Sequence, residues 1–295
     1  MMDVLVTGSS GFLGKILFSF LKDKYSVFEL QNLNAQKKIR LEKEVPNFNH
    51  SFDLVIHAAG KAHSIPKLEQ EANKFFDVNV VGTQNLLYGL ELIGVPKYFV
   101  FISSVAVYGI EHGFSISERT ELKAKDPYGL SKIQAEKLII DWCNKNNVTC
   151  TILRLPLLVG QNPPGNLGNM IRAIKKRYYF NIGGGKAKKS MVLAEDVARF
   201  IPIIAPIGGT YNLTDGDHPS FKDLSIAIAK KNIVNIPLLL GIFIAKAGDL
   251  FGSKAPLNSI KIKKITCDLT FDDSKARNKG WEPKSVLEYL KQIDL

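Results

Sequence analysis

The strongest constraint on how this chain folds lies between residues 3 and 14. Residues 3–6 read as a short apolar strand, and Thr7-Gly8-Ser9-Ser10-Gly11-Phe12-Leu13-Gly14 follows directly. Phe12, Leu13, Ile16, Leu17, Phe20 and Leu21 then recur at helical spacing, so the glycines occupy a turn between a strand and the helix it feeds. There Gly8 permits a tight turn, Gly11 lets the backbone come close to a pyrophosphate, and Gly14 lets helix pack on sheet. The free N–H groups of the helix start face an anion. Gly8, Ser10, Gly11, Phe12, Leu13 and Gly14 are therefore candidate dinucleotide contacts. Taken alone, a glycine triplet could equally be a plain strand-to-helix turn.

The remainder of the first half repeats the pattern. Strands are expected at 25–30, 54–57, 98–103 and 149–155, with helices over 68–92 and 127–144, the alternation that builds a doubly wound parallel sheet. After Pro156 the pattern loosens into loops rich in Gly, Pro and Asn, where a second, smaller domain is expected. With 295 residues, 45% of them hydrophobic and 23% charged, the chain suits one large or two modest globular domains and excludes a disordered tail, a collagen-like fibre or a coiled coil.

Three cysteines, Cys143, Cys150 and Cys267, fit neither a disulfide scaffold nor a zinc ligand set, which points to a reducing cytosol. The chain runs straight into its first strand, so no secretory signal is expected there. Residues 233–245 form the most hydrophobic later stretch, but they contain Pro237 and Gly241 and are too short to span a membrane, which takes roughly 20 residues. A core or dimer-contact helix is the leading reading there, and an interfacial helix the alternative. The net charge of +11 favours phosphate-bearing or other anionic partners.

Tyr128 and Lys132 stand four residues apart. Lysine is so common here that the spacing alone means nothing, but Asp126-Pro127 just before is an N-cap followed by proline at the first helical position. That places Tyr128 in a first helical turn with Lys132 on the same face. Ser103-Ser104 closes an apolar strand, and ligands bind at the carboxyl ends of parallel strands. A secondary alcohol can give up hydride only if its hydroxyl proton leaves too, and a free phenol with pKa near 10 is a poor base at neutral pH. A nearby ammonium favours the phenolate, while a serine hydroxyl can hold the substrate oxygen in line. Ser104, Tyr128 and Lys132 supply these parts and are the candidate catalytic residues; a surface tyrosine beside a solvated lysine is the bland alternative.

The G-x-x-G-x-x-G spacing, in the form T-G-x-x-G-F-L-G, resembles the extended short-chain dehydrogenases/reductases. Further motifs agree: His57-Ala58-Ala59-Gly60, Asn79-Val80-Val81-Gly82-Thr83, Ser103-Ser104-Val105-Ala106-Val107-Tyr108-Gly109, residues 191–198, Tyr211-Asn212-Leu213, and Asp273-Ser274-Lys275-Ala276 with Gly280-Trp281-Glu282-Pro283. From residue 1 to about 290 the chain looks like members of the NAD-dependent epimerase/dehydratase family that act on nucleotide sugars. The resemblance implies an α/β fold, with a Rossmann-type doubly wound sheet over 1–155 and a smaller C-terminal α/β substrate-binding domain over 156–295, some segments interleaved. It implies cofactor contacts from Ala58, Ala59, Gly60, Asn79, Tyr128 and Lys132, and substrate contacts from Ser104, Asn166, Leu167 and Lys189.

The chain departs from the family at three points. Val105-Ala106 follow Ser104 where dehydratases carry Asp-Glu, so a dehydratase is not expected. Gln31 stands where members preferring NAD place an acid for the adenosine ribose, and Lys37, Lys38 and Arg40 follow, so NAD or NADP is expected with a slight preference for NADP. Lys189 replaces an arginine that grips substrate phosphate. Arg154-Leu155-Pro156 and Gly165-Asn166-Leu167-Gly168 look most like bacterial enzymes working on UDP-N-acetyl-hexosamine derivatives for surface polysaccharides.

The expectation is a cytoplasmic, homodimeric NAD(P)-dependent oxidoreductase acting at carbon four of a nucleotide sugar, as an epimerase or a keto reductase, with no metal, no nucleic-acid partner and no membrane span. The rival reading is a non-catalytic dinucleotide-sensing or RNA-binding protein of the same fold. The lysines at 37–43, 186–189 and 261–264 read as solvated faces, the last cluster equally as a second basic site for substrate phosphate.

Overall fold

The structure is a computed structural model, and it describes residues 1–30, 39–62, 68–250, 252, 255 and 257–293. In chain order the first half comprises β1 (Asp3–Thr7), α1 (Phe12–Leu21), β2 (Ser26–Glu29), β3 (Leu54–His57), α2 (Glu69–Phe76), α3 (Gly82–Glu91), β4 (Tyr98–Ser104), β5 (Gly113–Ile116), α4 (Pro127–Lys145) and β6 (Thr149–Leu155). The second half adds β7 (Leu157–Val159), α5 (Gly165–Lys175), β8 (Asn181–Ile182), β9 (Met191–Leu193), α6 (Ala194–Ile204), β10 (Gly209–Asn212) and α7 (Phe221–Ala229). It ends with β11 (Asn235–Ile236), α8 (Leu238–Asp249), α9 (Ser259–Thr266), β12 (Leu269–Phe271), α10 (Ser274–Arg277) and α11 (Val286–Gln292).

Six strands form one parallel sheet in the order β10-β6-β4-β3-β1-β2. From β1 the chain steps outward to β2, then returns past β1 to β3 and continues through β4, β6 and β10. The direction of winding therefore reverses between β1 and β3, and an α/β sheet offers its crevice at the carboxyl ends of the strands on either side of such a reversal. The glycine turn after β1 lies there.

Both faces of the sheet are covered, which is why its strands are apolar without a polar alternate. Val4 and Val6 point to one face, where Leu13 and Leu17 of α1 and Val197 and Ile201 of α6 bury them. Leu5 and Val55 point to the other, against Leu86 and Leu90 of α3 and Ala135 and Ile139 of α4. α6 and β10, residues 194–212, thus return to the main sheet, whereas α5, α7 and α11 enclose a separate core of Val159, Leu167, Ile171, Leu193, Leu224 and Leu290. Three two-stranded pairs, β5–β12, β7–β9 and β8–β11, lie outside the main sheet.

Two expectations need correction. The helix expected over 68–92 is two helices joined by a π-helical turn, Asp77–Val81, because one inserted residue leaves the apolar pattern intact while changing the hydrogen-bond register. Nor is the apolar stretch 233–245 a core helix: in α8 only Gly241 and Ala245 are buried. No helix among the described residues is long and apolar enough to cross a membrane.

Candidate active site

The glycine turn is built by close backbone contacts that no side chain could share. Gly8 has φ +72°, and a Cβ there would stand 2.6 Å from the Ala59 nitrogen. A Cβ on Gly14 would stand 2.0 Å from the Gly8 carbonyl oxygen, so helix and turn fit only with glycine at both positions. Gly11 is the N-cap of α1, with its N–H on the Gly8 carbonyl at 2.9 Å. No side chain caps α1 and no acid stands in its first turn, which leaves the positive end of the helix dipole available to an anion. The Ser9 hydroxyl is buried without a hydrogen-bond partner, while Ser10 is exposed, Phe12 half-buried and Leu13 buried. A backbone cradle, an uncapped helix start and an unsatisfied hydroxyl together fit the pyrophosphate of a dinucleotide.

Behind the cradle runs a buried relay that the sequence reading did not single out. The Ala59 N–H donates to Thr7 Oγ1 (3.1 Å), Thr7 Oγ1 meets His57 Nδ1 (2.7 Å), His57 Nε2 meets Thr83 Oγ1 (2.9 Å), and Thr83 donates to the Asn79 carbonyl (2.7 Å). Because Thr83 gives its hydrogen to Asn79, it can only accept from His57, so His57 carries its proton on Nε2 and accepts from Thr7 on Nδ1. Burial, aided by the charge of Lys132, pushes the imidazole pKa down to about 3 and keeps the ring neutral. The only signal in the sequence is polar residues at the ends of otherwise apolar strands.

Asn79, in the π-helical turn, continues the arrangement. Its side chain accepts from the Lys61 N–H (2.7 Å) and donates to the Lys61 carbonyl (3.1 Å) and to Ser131 Oγ (2.9 Å), which itself donates to the Tyr128 carbonyl (2.8 Å). The amide thus ties the strand end after Ala58-Ala59-Gly60 to the first turn of α4. A Cβ on Gly60 would come within 3.1 Å of Asn79 Oδ1 and 3.3 Å of Lys132 Nζ, so the absent side chain keeps this corner free.

Ser104, Tyr128 and Lys132 converge here. Asp126 caps α4 by accepting from the Gly129 N–H at 3.0 Å, with Pro127 next, as the sequence pattern requires. Ser104 Oγ accepts from the Ala106 N–H (3.2 Å), and its side chain lies beside the Tyr128 hydroxyl. Lys132 Nζ donates to the Ile102 carbonyl (2.8 Å) and lies 4.4 Å from the centre of the Phe101 ring. Burial lowers the Lys132 pKa to about 8, against the opposing pull of Glu136. The expectation of a lowered phenol pKa is not met in the chain by itself: burial raises the Tyr128 pKa, and the Ser104 side chain opposes it only in part.

A second buried network stands behind the lysine. Arg154 makes a two-pronged ion pair with Glu136 (3.1 and 2.7 Å), and Glu136 also accepts from Ser103 Oγ (2.5 Å). Arg154 donates to the Tyr108 hydroxyl (3.1 Å), which donates to Asn212 Oδ1 (2.7 Å), and Asn212 Nδ2 reaches the Ile116 carbonyl (3.0 Å). In the sequence Arg154 stands out only as part of a motif, and the i,i+4 spacing of Lys132 and Glu136 is the available signal.

The candidate substrate residues of the second half lie elsewhere. Asn166 is exposed in the first turn of α5, and Leu167 is packed into the core with Val159 and Ile171, so only its backbone could face a ligand. Lys189 is half-buried, bridging backbone to Leu269, with its charge close to Lys264, Asp268 and Cys267; burial lowers its pKa. Among the lysines expected to form a second basic site, Lys263 is engaged by Glu111 (2.7 Å) and Lys261 by the Ala255 carbonyl. Gln31, Lys37 and Lys38 lie outside the described residues. β2 itself ends at Glu29, paired with Val6.

Comparison with known proteins places this geometry. The chain is 28% identical over 308 residues to N-acetyl-alpha-D-glucosaminyl-diphospho-ditrans,octacis-undecaprenol 4-epimerase of Escherichia coli O157:H7, covering 95% of this chain and 90% of that protein. It is 28% identical to UDP-glucose 4-epimerase of Vibrio cholerae, over 97% of this chain and 92% of that one. RMD from Pseudomonas aeruginosa complexed with NADPH shares its fold, with a TM-score of 0.76 at 21% identity over 99% of this chain and 97% of that one. The model of the NAD dependent epimerase/dehydratase family matches residues 4–213, which contain the glycine turn, Ser104, Tyr128 and Lys132, and the chain belongs to that family.

Proposed function

We propose that this chain is an NAD(P)-dependent 4-epimerase of a sugar carried on a diphosphate, a UDP-sugar foremost, that serves surface polysaccharide synthesis. The observation that carries the reading is the convergence of Ser104 with Tyr128 and, one turn further along α4, Lys132, beside the glycine cradle at the reversal of the sheet. Both full-length relatives named above are 4-epimerases of diphosphate-linked sugars, which supports the class of substrate and the carbon.

In this reading Gly8, Ser10, Gly11, Phe12, Leu13 and Gly14 hold the pyrophosphate of the cofactor, Ala58, Ala59, Gly60 and Asn79 line it, and Gln31 meets its adenosine ribose. The nicotinamide supplies the hydride acceptor and donor. Ser104 uses one lone pair on the Ala106 N–H, which directs its hydrogen toward the phenol and the sugar oxygen beside it. Tyr128 takes the proton from the carbon-four hydroxyl and later returns it. Burial holds the phenol protonated in the chain alone, so its ionisation relies on positive charge brought up to it, of which Lys132 is the resident part. Val105 and Ala106 offer no acid for an elimination, and Lys189, Asn166 and the Leu167 backbone are assigned to the sugar diphosphate.

The test is direct. Purified protein given UDP-N-acetylglucosamine or UDP-glucose should invert carbon four, followed by proton NMR, and denaturation should release about one NAD per chain. An empty site that consumes NADPH stoichiometrically with a 4-keto sugar would make it a reductase instead. Tight, salt-sensitive RNA binding with no turnover on any sugar diphosphate would sink the enzyme reading altogether.

A further inference from the structure

α8 is built the wrong way round for a helix of a water-soluble surface. The side it turns to the protein is made of small residues: a Cβ on Gly241 would stand 2.6 Å from Ile182 and 3.4 Å from Ile262, Ala245 is buried, and a Cβ on Gly248 would stand 2.0 Å from the Leu257 carbonyl. Its large apolar side chains face outward. Leu239 is 83% exposed, Phe243 72% and Leu250 86%, and Leu238, Leu240, Ile242 and Ile244 are exposed around them. Val234 and Ile260 are exposed as well, at 68% and 64%. Isolated exposed apolar residues are ordinary, but a contiguous group of large ones marks an interaction surface.

Charge decides the partner. Between residues 230 and 264 the sequence carries seven lysines and a single acid, Asp249, which is engaged by the backbone and hydroxyl of Ser259. Lys246 stands on the exposed side of α8 itself, and α9, packed along α8, carries Lys264 and also Lys263, which is paired with Glu111. A second copy would bring the same positive field against its own image, whereas an anionic lipid surface complements both features at once. Apolar side chains enter the boundary between headgroups and acyl chains, while lysines meet the lipid phosphates. At 12 residues α8 is too short to cross the bilayer and suits lying in its plane.

We propose that α8 docks this protein peripherally on an anionic membrane surface, with Leu239, Phe243 and Leu250 inserted and the surrounding lysines on the headgroups. The docking is independent of the reaction assigned above.

The experiment is flotation of the full chain with vesicles of phosphatidylcholine containing one quarter phosphatidylglycerol, against pure phosphatidylcholine vesicles. The chain should float with the anionic vesicles and partition at least roughly tenfold less onto neutral ones, or onto anionic ones in high salt. Leu239→Glu/Phe243→Glu should reduce partitioning by a similar factor or more without lowering Tm, since both side chains point into water. Phe243→Trp should keep binding and show a blue-shifted emission quenched by brominated lipid. Absence of flotation with anionic vesicles at low salt would overturn the proposal. So would a concentration-dependent dimer abolished by Leu239→Glu/Phe243→Glu, with no vesicle binding in either form, because a second copy would then cover the patch.

Discussion

The Lys132 ammonium donates a hydrogen bond to the carbonyl oxygen of Ile102, 2.8 Å away, which tethers this buried positive charge to the strand that ends at Ser104. Tyr128, one turn earlier on α4, has its hydroxyl beside Ser104 at the same strand end. The two side chains should therefore fail differently. Tyr128→Phe removes only the ionisable hydroxyl while its ring keeps its place near Phe75, so turnover should fall by at least about a hundredfold with cofactor affinity nearly unchanged. Lys132→Met also removes a charge from the cofactor crevice and should weaken both. Single-turnover rates and cofactor titration on the two variants check this; a Tyr128→Phe variant with more than a few per cent of the rate would remove the phenol from proton transfer.

His57 should make the fold sensitive to acid. Its pKa lies at about 3 in the folded chain and near 6.5 when unfolded, so the folded state binds fewer protons between these values and loses stability as pH falls through that window. From pH 7.5 to 5 the loss amounts to about 2 kcal/mol. Asp215 acts in the opposite sense, because burial raises its pKa to about 6 and the folded state gains a proton there first. Comparison with a variant isolates the histidine: His57→Gln should be less stable than the parent at pH 7.5, and the gap should narrow by about 2 kcal/mol at pH 5. Urea unfolding at both pH values gives the number, and a gap that does not change with pH would refute the neutral relay.

The ion pair of Arg154 with Glu136 is buried and two-pronged, and Ser103 and Tyr108 occupy the remaining polar positions around it. Removing one partner leaves the other charge buried and unpaired. Arg154→Met is expected to cost about 3–5 kcal/mol, whereas Arg154→Met/Glu136→Met should recover a large part of that loss. Chemical denaturation of the single and double variants measures it.

Much of this architecture could be read from the chain. The parallel strands are legible because burial on both faces leaves them continuously apolar, and the cradle because Gly8, Gly11 and Gly14 punctuate a strand-to-helix turn. Asp126-Pro127 dated the start of α4 and so gave the Tyr128 and Lys132 spacing a meaning. Other features were hidden for physical reasons. The π-helical turn at Asn79 inserts a residue without disturbing the apolar pattern, and the His57 relay depends on which residues meet across strands, which spacing does not encode. Hydrophobicity reveals how apolar residues 233–245 are but not which way they face; the small Gly241 and Ala245 take the inward positions and turn Leu239 and Phe243 out.

Lys189 sits half-buried next to Lys264 and Asp268, and burial already strains its charge. A doubly charged diphosphate would relieve that strain, whereas the cofactor cradle lies on the other side of the reaction centre in the proposed division of roles. Lys189→Ala should raise the KM for the sugar diphosphate by roughly tenfold or more while changing cofactor Kd less than twofold, the scale of one lost charge-assisted contact. Equal effects on both constants would take Lys189 out of the substrate site.

Cofactor choice turns on the end of β2. A carboxylate there accepts hydrogen bonds from the adenosine ribose and repels a phosphate esterified to it, so it selects NAD by attraction and by charge together. Gln31 can do the first in part and not the second, and Lys37, Lys38 and Arg40 follow in sequence. Glu29 is the residue that could reverse this, since it closes β2 opposite Val6, two positions earlier. With Gln31 as the ribose partner, NADP should bind at least as well as NAD, and Gln31→Asp should swing preference toward NAD by roughly tenfold, equivalent to about 1.4 kcal/mol. With Glu29 as the partner, the parent would ignore NADP and Glu29→Gln, not Gln31→Asp, would move the preference. Titrating both cofactors against the three proteins separates the two registers, and an unchanged preference in Gln31→Asp would sink the assignment of Gln31.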